Sequence, residues 1–327
     1  MKSLSKLITR VEAKVAFCAM AAVFCFSLND ALIKFLSGSY ALHQIILVRS
    51  LIGILILFII FIPLSGTFAV FKTQRLGMHL LRGLAIVFAN LTFFLGLAEL
   101  PLAVATSIFF ISPLLITIFS IVFLKEYVGV YRWGSIIVGL LGILIILRPG
   151  TEAFKLASLL PIAAAFGYAT LHIVTRYIGK TESALTMSFY IQVTFILICS
   201  LFWLLIGNGH LANAQSPALD FLFRKWGALT ENDWPLFLLL GACSAFGGFL
   251  ISQAYRNSEA AFVAPFEYIA MPLSIFWGLL IFNTIPDLQS LAGMVMIIGS
   301  GLFIVLREII YDRKLSKKLV DTPHFRR

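Results

Sequence analysis

Apolar residues occur along this chain in long uninterrupted runs that are separated by short polar segments. The interval between Glu99 and Lys125 contains no charged residue, and neither does the interval between Asp233 and Arg256. A helix needs about 20 mostly apolar residues to cross the hydrocarbon core of a bilayer, and each interval is long enough. The pattern therefore predicts membrane-spanning helices.

The same criterion, applied to the whole chain, predicts ten transmembrane helices and an all-α integral membrane protein. The predicted spans are 15–36, 45–64, 76–98, 101–124, 132–148, 156–175, 184–206, 234–255, 260–282 and 288–306. The first span is longer than the apolar region of a signal peptide, and no small-residue cleavage site follows it. We therefore expect it to remain uncleaved.

Composition agrees with a lipid-facing surface. The chain is 60% hydrophobic and 12% charged, with a mean hydropathy of +0.99, whereas soluble domains are about 25% charged. The net charge of +10 comes from basic residues that flank apolar runs, so nucleic-acid binding is not expected. The four cysteines lie in apolar stretches without a CxxC pair, which argues against a disulfide framework or a zinc site.

The distribution of lysine and arginine predicts the orientation. If both termini are cytoplasmic, most basic residues fall in cytoplasmic segments, and only Arg148, Lys155, Arg224 and Lys225 fall outside. The positive-inside rule favours this arrangement. We expect a multi-pass protein of the cell inner membrane, with a cytoplasmic N-terminal segment at 1–14 and a cytoplasmic tail at 308–327.

An internal repeat appears when the chain is aligned with itself at an offset of 159 residues. The matched pairs are Pro113 with Pro272, Phe123 with Phe282, Gly134 with Gly293, Gly142 with Gly301, and Arg148 with Arg307. This predicts two five-helix repeats, 15–150 and 156–307. Because each has an odd number of spans, the second is inverted, an arrangement typical of secondary transporters.

Several segments carry a resemblance to a known family. They are ANLTFFLGLAELPLAVATSIFFISPLL, KEYVGVYRW and GLLGILIILRPG in the first repeat, and AYRNSEAAFVAPFEY and GSGLFIVLRE in the second. The chain resembles the drug/metabolite transporter superfamily, specifically its ten-helix EamA-type members, over nearly all of 15–307. The resemblance implies a secondary transporter that moves a small organic metabolite by alternating access.

The substrate implied by the resemblance stays open among several classes. Proteins of this appearance carry flavins, S-adenosylmethionine or amino acids, as importers or exporters. We favour a riboflavin-type importer because the phenylalanine-rich spans suit a planar ring. Import or export of amino acids or S-adenosylmethionine-like compounds is the alternative.

Other functional classes lack sequence support. The chain contains no HExxH, GxSxG or P-loop motif and no carboxylate cluster for a metal, so we expect neither an enzyme nor a cofactor. Rings of charge, which would favour a channel, are also missing from the pattern. The expected partners are a small-molecule substrate and the lipid bilayer, and a homodimer is compatible with this organisation.

Polar residues inside the predicted spans are the candidates for the site, because an ionisable group at mid-membrane costs about 2.5–3.5 kcal/mol and usually marks function. Asn29, Asp30 and Lys34 share the first span, and Arg49 opens the second. They predict a polar patch in the outer half of a central cavity. Alternatively, Asp30 and Lys34 neutralise each other near the helix end, and Arg49 is an interfacial anchor.

A second group of candidates lies nearer the cytoplasmic side. Arg82 and Asn90 are two turns apart on the third span, His172 is near the inner end of the sixth, and Gln253 is on the eighth. They can line the cavity or move a proton. The alternatives are a snorkelling arginine and a hydrogen-bonded structural histidine.

Glu267 is the strongest single candidate. It lies in the ninth span between Pro265 and Pro272, and Tyr268 follows it. Prolines free backbone carbonyls and kink a helix, which is tolerable where the backbone lines a cavity. A carboxyl group in this setting can take up and release protons, so we predict a substrate-binding or coupling role, against a structural hydrogen bond or ion pair.

Overall fold

Helices account for the regular structure of the chain, as a computed structural model shows. The described residues are 2–66, 72–126, 129–149, 155–212 and 216–321, and none of them forms a strand. Helical structure suits a bilayer, because lipid offers no partner for a free backbone N–H or C=O group.

The first half of the chain contains helices α1 to α5. Their bounds are α1 (Lys2–Leu36), α2 (Leu42–Ile56, continued by a π-helical turn at Leu57–Phe61 and by Ile62–Ser65), α3 (Leu76–Glu99), α4 (Leu102–Phe109 and Ser112–Phe119, continued by a π-helical turn at Ser120–Leu124) and α5 (Val130–Leu147).

The second half contains helices α6 to α10. Their bounds are α6 (a 3₁₀ turn at Leu156–Ser158, then Leu159–Ile178), α7 (Ala184–Ile206), α8 (Trp234–Asn257), α9 (Ala260–Val263, a 3₁₀ segment at Ala264–Ile269, then Ala270–Phe282) and α10 (Leu288–Asp321). A short helix, Pro217–Phe223, lies in the connection before α8.

Seven helices of the described chain are long and apolar enough to cross a membrane. They are Ala13–Leu36, Leu42–Phe61, Leu76–Glu99, Leu102–Leu124, Leu156–Ile178, Ala184–Ile206 and Trp234–Asn257. Shorter apolar stretches occupy the other three predicted spans, at Trp133–Leu147, Phe266–Phe282 and Leu288–Phe303. The protein is therefore a multi-pass membrane protein, while the end of the first predicted repeat at residue 150 lies outside the described residues.

Two helices are interrupted where the sequence places prolines. Helix α4 breaks at Phe110 and Ile111, just before Pro113, and α9 changes to 3₁₀ geometry over Ala264–Ile269, just before Pro272. Proline has no N–H donor and crowds the preceding turn, so a regular helix is disturbed there. Pro113 and Pro272 are separated by the 159-residue offset of the predicted repeat.

The helices pack in pairs, with α1 against α8, α3 against α6 and α5 against α10. The α5–α10 contact is closest at Gly142 and Gly293. A Cβ atom added to Gly293 would lie 2.6 Å from the carbonyl oxygen of Gly142, and one added to Gly142 would lie 2.7 Å from that of Gly293. Small residues let membrane helices approach in this way.

A valine at Gly293 should destabilise the protein, because its side chain must push the α10 backbone away from α5. Overpacking of this kind costs about 1–3 kcal/mol. We expect Gly293→Val to lower the thermal-unfolding midpoint in detergent. Gly299→Val is the matched control on the same helix, since a Cβ at Gly299 meets nothing within 4 Å. Equal midpoints for the two variants would contradict the close contact.

Candidate functional site: a central cavity with two charged ends

A central cavity lies between helices α1 to α4 and α6 to α9. It encloses about 1120 Å³ of space that protein atoms do not fill, part of it open to solvent. Its walls are mainly apolar, and α5 and α10 contribute none of its described lining residues. Small-molecule sites are typically clefts with apolar walls and a few precisely placed polar groups. The cavity therefore has the character of a ligand site.

Six of the ten predicted site residues line this cavity: Asn29, Asp30, Arg49, Asn90, His172 and Glu267. The other four are not among its lining residues: Lys34, Arg82, Gln253 and Tyr268. The structure thus brings the predicted candidates together only in part.

The first polar group, here called the Arg49 end, lies on α1 and α2. Arg49 is 4% exposed, and its Nη1 donates to Asn29 Oδ1 at 3.1 Å. The guanidinium carbon lies 5.1 Å from the centroid of the Phe195 ring, and Asn29 Nδ2 lies 3.5 Å from Asp30 Oδ1. A cation and a carboxylate therefore face the cavity side by side, linked through one amide.

The second polar group, here called the Glu267 end, surrounds a buried carboxylate. Glu267 is 4% exposed and lies in the 3₁₀ segment of α9. Tyr255 Oη donates to Glu267 Oε1 at 2.5 Å, and the Tyr168 hydroxyl also hydrogen-bonds to this carboxylate. Both partners are neutral, so the charge of an ionised Glu267 is solvated but not cancelled by them.

His172 completes the Glu267 end. Its ring stacks on Tyr255 with centroids 3.9 Å apart and meets the edge of Tyr168 at 4.2 Å. Neither ring nitrogen of His172 has a hydrogen-bond partner, although the residue is 1% exposed. A buried polar atom without a partner is costly. The imidazole therefore has hydrogen-bonding capacity available to a molecule in the cavity.

The two ends lie on different helices. Arg49 is on α2 with Asn29 and Asp30 on α1, whereas Glu267 is on α9 with its partners Tyr168 on α6 and Tyr255 on α8. The Arg49 end thus contains a cation and a carboxylate, and the Glu267 end contains a second carboxylate.

Aromatic and amide side chains also line the cavity. The rings of Phe93 and Phe109 lie 5.1 Å apart at 59°, and Phe110 is a further aromatic lining residue. Gln192 Nε2 donates to Ser244 Oγ at 2.9 Å, while Gln192 Oε1 has no partner. The wall can therefore contact an aromatic ring and offer it a hydrogen-bond acceptor.

Arg82 fastens three helices together behind the cavity. It is 1% exposed, with Nε donating to Thr175 Oγ1 at 2.9 Å, Nη1 to the Met187 carbonyl at 3.2 Å and Nη2 3.5 Å from Ser252 Oγ. The side chain is therefore committed to α6, α7 and α8 and does not snorkel to the interface.

Lys34 also has a structural partner. Its Nζ donates to the carbonyls of Leu97 and Leu100 at 2.6 and 2.8 Å, and so satisfies the C-terminal end of α3. Cations are favoured at helix C-termini, because the last carbonyls have no partner within the helix. Tyr268 stacks on Phe110 at 5.3 Å outside the cavity lining.

Several lining residues were not among the sequence candidates. They are uncharged polar residues on otherwise apolar helices, namely Ser27, Thr106, Tyr168, Ser188, Gln192 and Ser244. The signal that could have found Tyr168 is its spacing from His172, because residues four apart share a helix face. The serines and the glutamine carry no comparable sequence signal.

Outside the spans, Asp233 fixes the start of α8. Its Oδ2 accepts from Thr230 Oγ1 and from Tyr40 Oη, both at 2.6 Å. These two hydrogen bonds hold the pKa of the Asp233 carboxyl below its usual range. The carboxylate therefore stays ionised at neutral pH and links the connection between α1 and α2 to α8.

Fold and cavity together define a class: a helical, multi-pass membrane protein with a central ligand cavity. Comparison with known proteins agrees with this class. A riboflavin transporter of Vibrio cholerae is 31% identical over 74% of this chain and 76% of its own length. An S-adenosylmethionine uptake transporter of Rickettsia prowazekii is 28% identical over 86% of this chain and 89% of its own length. A pseudopaline exporter of Pseudomonas aeruginosa is 25% identical over 86% of this chain and 92% of its own length.

The family profile of EamA-like transporters matches residues 13–148. A solved crystal structure superposes with a TM-score of 0.68 and 16% identity, over 93% of this chain and 99% of the other. The chain belongs to the EamA-like transporter family and is a membrane transporter of a small molecule. The predicted family resemblance is thereby confirmed.

Replacing Arg82 by lysine should destabilise the helix bundle. A lysine has no planar fork of donors and cannot serve Thr175, Ser252 and the Met187 carbonyl at once. Each buried acceptor left unpaired costs about 1–3 kcal/mol. We expect Arg82→Lys to unfold at a lower temperature than wild type in detergent.

Arg75→Lys is the matched control for this change. Arg75 precedes the same helix, is half-buried and lies 5.7 Å over the Tyr177 ring, where exchange for lysine should cost little. A thermal-unfolding midpoint of Arg82→Lys as high as that of the control would mean that the hydrogen bonds of the buried Arg82 guanidinium do not stabilise the protein.

Proposed function

We propose that this chain is a secondary carrier that moves a small organic metabolite across the bacterial inner membrane by alternating access. The observation that carries the proposal is the cavity, which receives side chains from both halves of the chain and contains one interrupted helix from each, α4 and α9. Interrupted helices at a repeat interface are where secondary transporters place their substrate sites.

The proposed architecture is ten spans in two inverted repeats, 15–150 and 156–307. The packing pattern supports it, since exchanging the halves converts the α1–α8 pair into the α6–α3 pair, and converts α4 against α6 into α9 against α1. All of these contacts occur. Such an exchange is expected of two similar units that pack symmetrically around one site.

We place both termini in the cytoplasm, with 1–14 and 308–327 as flanking segments, on the strength of the positive-inside rule. A homodimer is compatible with this proposal.

The proposed substrates are those with a planar ring. Riboflavin, carried by the Vibrio relative, and S-adenosylmethionine, carried by the Rickettsia relative, both contain one. Phe93, Phe109 and Phe110 can pack on such a ring. Amino acids stay a third candidate, and either direction of transport is compatible with the geometry.

We further propose that Glu267 is the coupling site. Its carboxylate lies in an interrupted helix, contacts only neutral donors and faces the cavity. A proton or a substrate group can therefore compete for the same oxygens. Proton coupling through this residue would make transport depend on the pH gradient.

The topology can be tested with reporter fusions. Green fluorescent protein fused after Arg327 should fluoresce, because it folds in the cytoplasm, whereas alkaline phosphatase at the same place should be inactive. Phosphatase inserted near residue 210, in the connection before α8, should be active. The reverse pattern would overturn the proposed orientation.

Transport itself can be tested by counter-flow in liposomes that contain the purified full-length protein. The labelled panel is riboflavin, S-adenosylmethionine, amino acids and nucleosides. We expect saturable flux of a chemically unchanged compound, which excludes both a channel and an enzyme. In Glu267→Gln the flux should fall about tenfold or more, because a hydrogen bond to a charged group contributes about 1.5–3 kcal/mol.

Glu259→Gln is the matched control, since Glu259 is exposed and precedes α9 without capping it. Loss of flux in Glu267→Gln but not in the control, with a response to an imposed pH gradient, supports the coupling role. Unchanged flux in Glu267→Gln would remove that role, while the carrier proposal would stand. Folded protein that moves nothing in the panel would contradict the proposed substrates.

A further inference from the structure

We infer that the cavity selects a substrate of net positive charge, with a carboxylate bound at the Arg49 end, an organic cation bound at the Glu267 end, and a planar ring between them. The inference rests on the proposed carrier function and narrows its substrate class. It follows from the partners that each charged side chain has, and from those that it lacks.

The Arg49 end is suited to a carboxylate. Arg49 forms no ion pair with a carboxylate of the described chain, its Nε has no partner, and only Nη1 is used, on Asn29. Phe195 covers one face of the guanidinium and limits its hydration. Arginine binds carboxylates through two parallel N–H donors, so the edge left unused by Asn29 is the one that a substrate carboxylate would take.

The Glu267 end is suited to an organic cation. Its carboxylate has two neutral phenol donors, and Phe109, Tyr168 and His172 line the cavity around it. Arg82 lies nearby, but its N–H groups donate to Thr175 on α6 and Met187 on α7, and it does not line the cavity. Aromatic side chains around a carboxylate favour weakly hydrated cations, such as sulfonium or alkylammonium groups, over water.

Charge balance over the whole cavity points the same way. Its charged lining residues are Asp30, Glu267 and Arg49, so two carboxylates face one guanidinium. A neutral substrate leaves one negative charge uncompensated unless a proton accompanies it, and an uncompensated buried charge is costly. A substrate that carries two cationic groups and one carboxylate cancels the excess. Of the compounds transported by the relatives above, S-adenosylmethionine has this charge pattern and riboflavin is neutral.

The ligand pair that isolates the cation is S-adenosylmethionine and S-adenosylhomocysteine, because the second lacks only the methyl group that makes the sulfur positive. In proteoliposomes, both are added as unlabelled competitors of labelled S-adenosylmethionine counter-flow. We expect at least a tenfold preference for the sulfonium compound in the wild-type protein. Riboflavin should compete more weakly than either.

The variants separate the two ends of the cavity. Glu267→Gln should bring the two competitors close to equality, whereas the exposed control Glu259→Gln should keep the wild-type ratio. Arg49→Gln should weaken both competitors to a similar degree and leave their ratio unchanged, because both carry the carboxylate. These ratios are internal to each variant, so a partial loss of folded protein does not change them.

Equilibrium binding of the same labelled compound to the purified full-length protein provides a second measurement, which does not depend on flux. Equal competition by both compounds in wild type, or stronger competition by riboflavin, would overturn the charge preference and leave the carrier proposal intact. Selective binding of the sulfonium compound without flux would support the preference and count against the carrier. If Glu267→Gln does not fold, the ligand pair on wild type still decides.

Discussion

A polar group inside a bilayer cannot form hydrogen bonds with water, and this constraint governs the whole molecule. Each charged side chain within the helices must find a partner in the protein or face a cavity. Arg82 and Lys34 follow the first route, the one bonded to three helices and the other to the end of α3. Arg49 and Glu267 follow the second: Arg49 Nε has no partner in the protein, and Glu267 is bonded to the neutral hydroxyls of Tyr255 and Tyr168. The candidate site contains the charges that line the cavity rather than those bonded to the surrounding helices.

The predicted repeat gives Glu267 no acidic counterpart in the first half of the chain. At the offset of 159 residues, Glu267 corresponds to Ile108 on α4, so the acid occurs in only one of the two interrupted helices. Both helices are interrupted before a proline and both contribute to the cavity wall, yet α9 presents a carboxylate, whereas α4 presents Thr106, Phe109 and Phe110. Of these two helices, only α9 therefore brings a charge to the cavity.

Sequence reasoning located most of the helices and only part of the site. Apolar length between charges is set by bilayer thickness, so the spans could be predicted, except where α9 is broken into 3₁₀ and helical pieces. Charge alone marked Asp30, Arg49 and Glu267. It could not separate them from Lys34 and Arg82, because the difference depends on which neighbouring carbonyl or hydroxyl lies within reach.

Uncharged lining residues were the hardest to predict. Tyr168 and Gln192 lie on helices with so many apolar residues that no single face stands out in the sequence. Their role depends on how α6 and α7 are rotated against α3 and α8. That rotation is fixed by close approaches such as Gly167 against the Ala85 carbonyl, at 2.7 Å from a Cβ built on the glycine. No local sequence feature encodes such a rotation.

The glycine contact between α5 and α10 divides the protein into a part that meets the ligand and a part that does not. Neither helix contributes a described lining residue, yet their backbones meet at Gly142 and Gly293. Mutations that adapt the cavity to a new compound are therefore free to accumulate on the other eight helices without disturbing this seam. The surface that meets the cavity and the contact that joins α5 to α10 can thus change independently of each other.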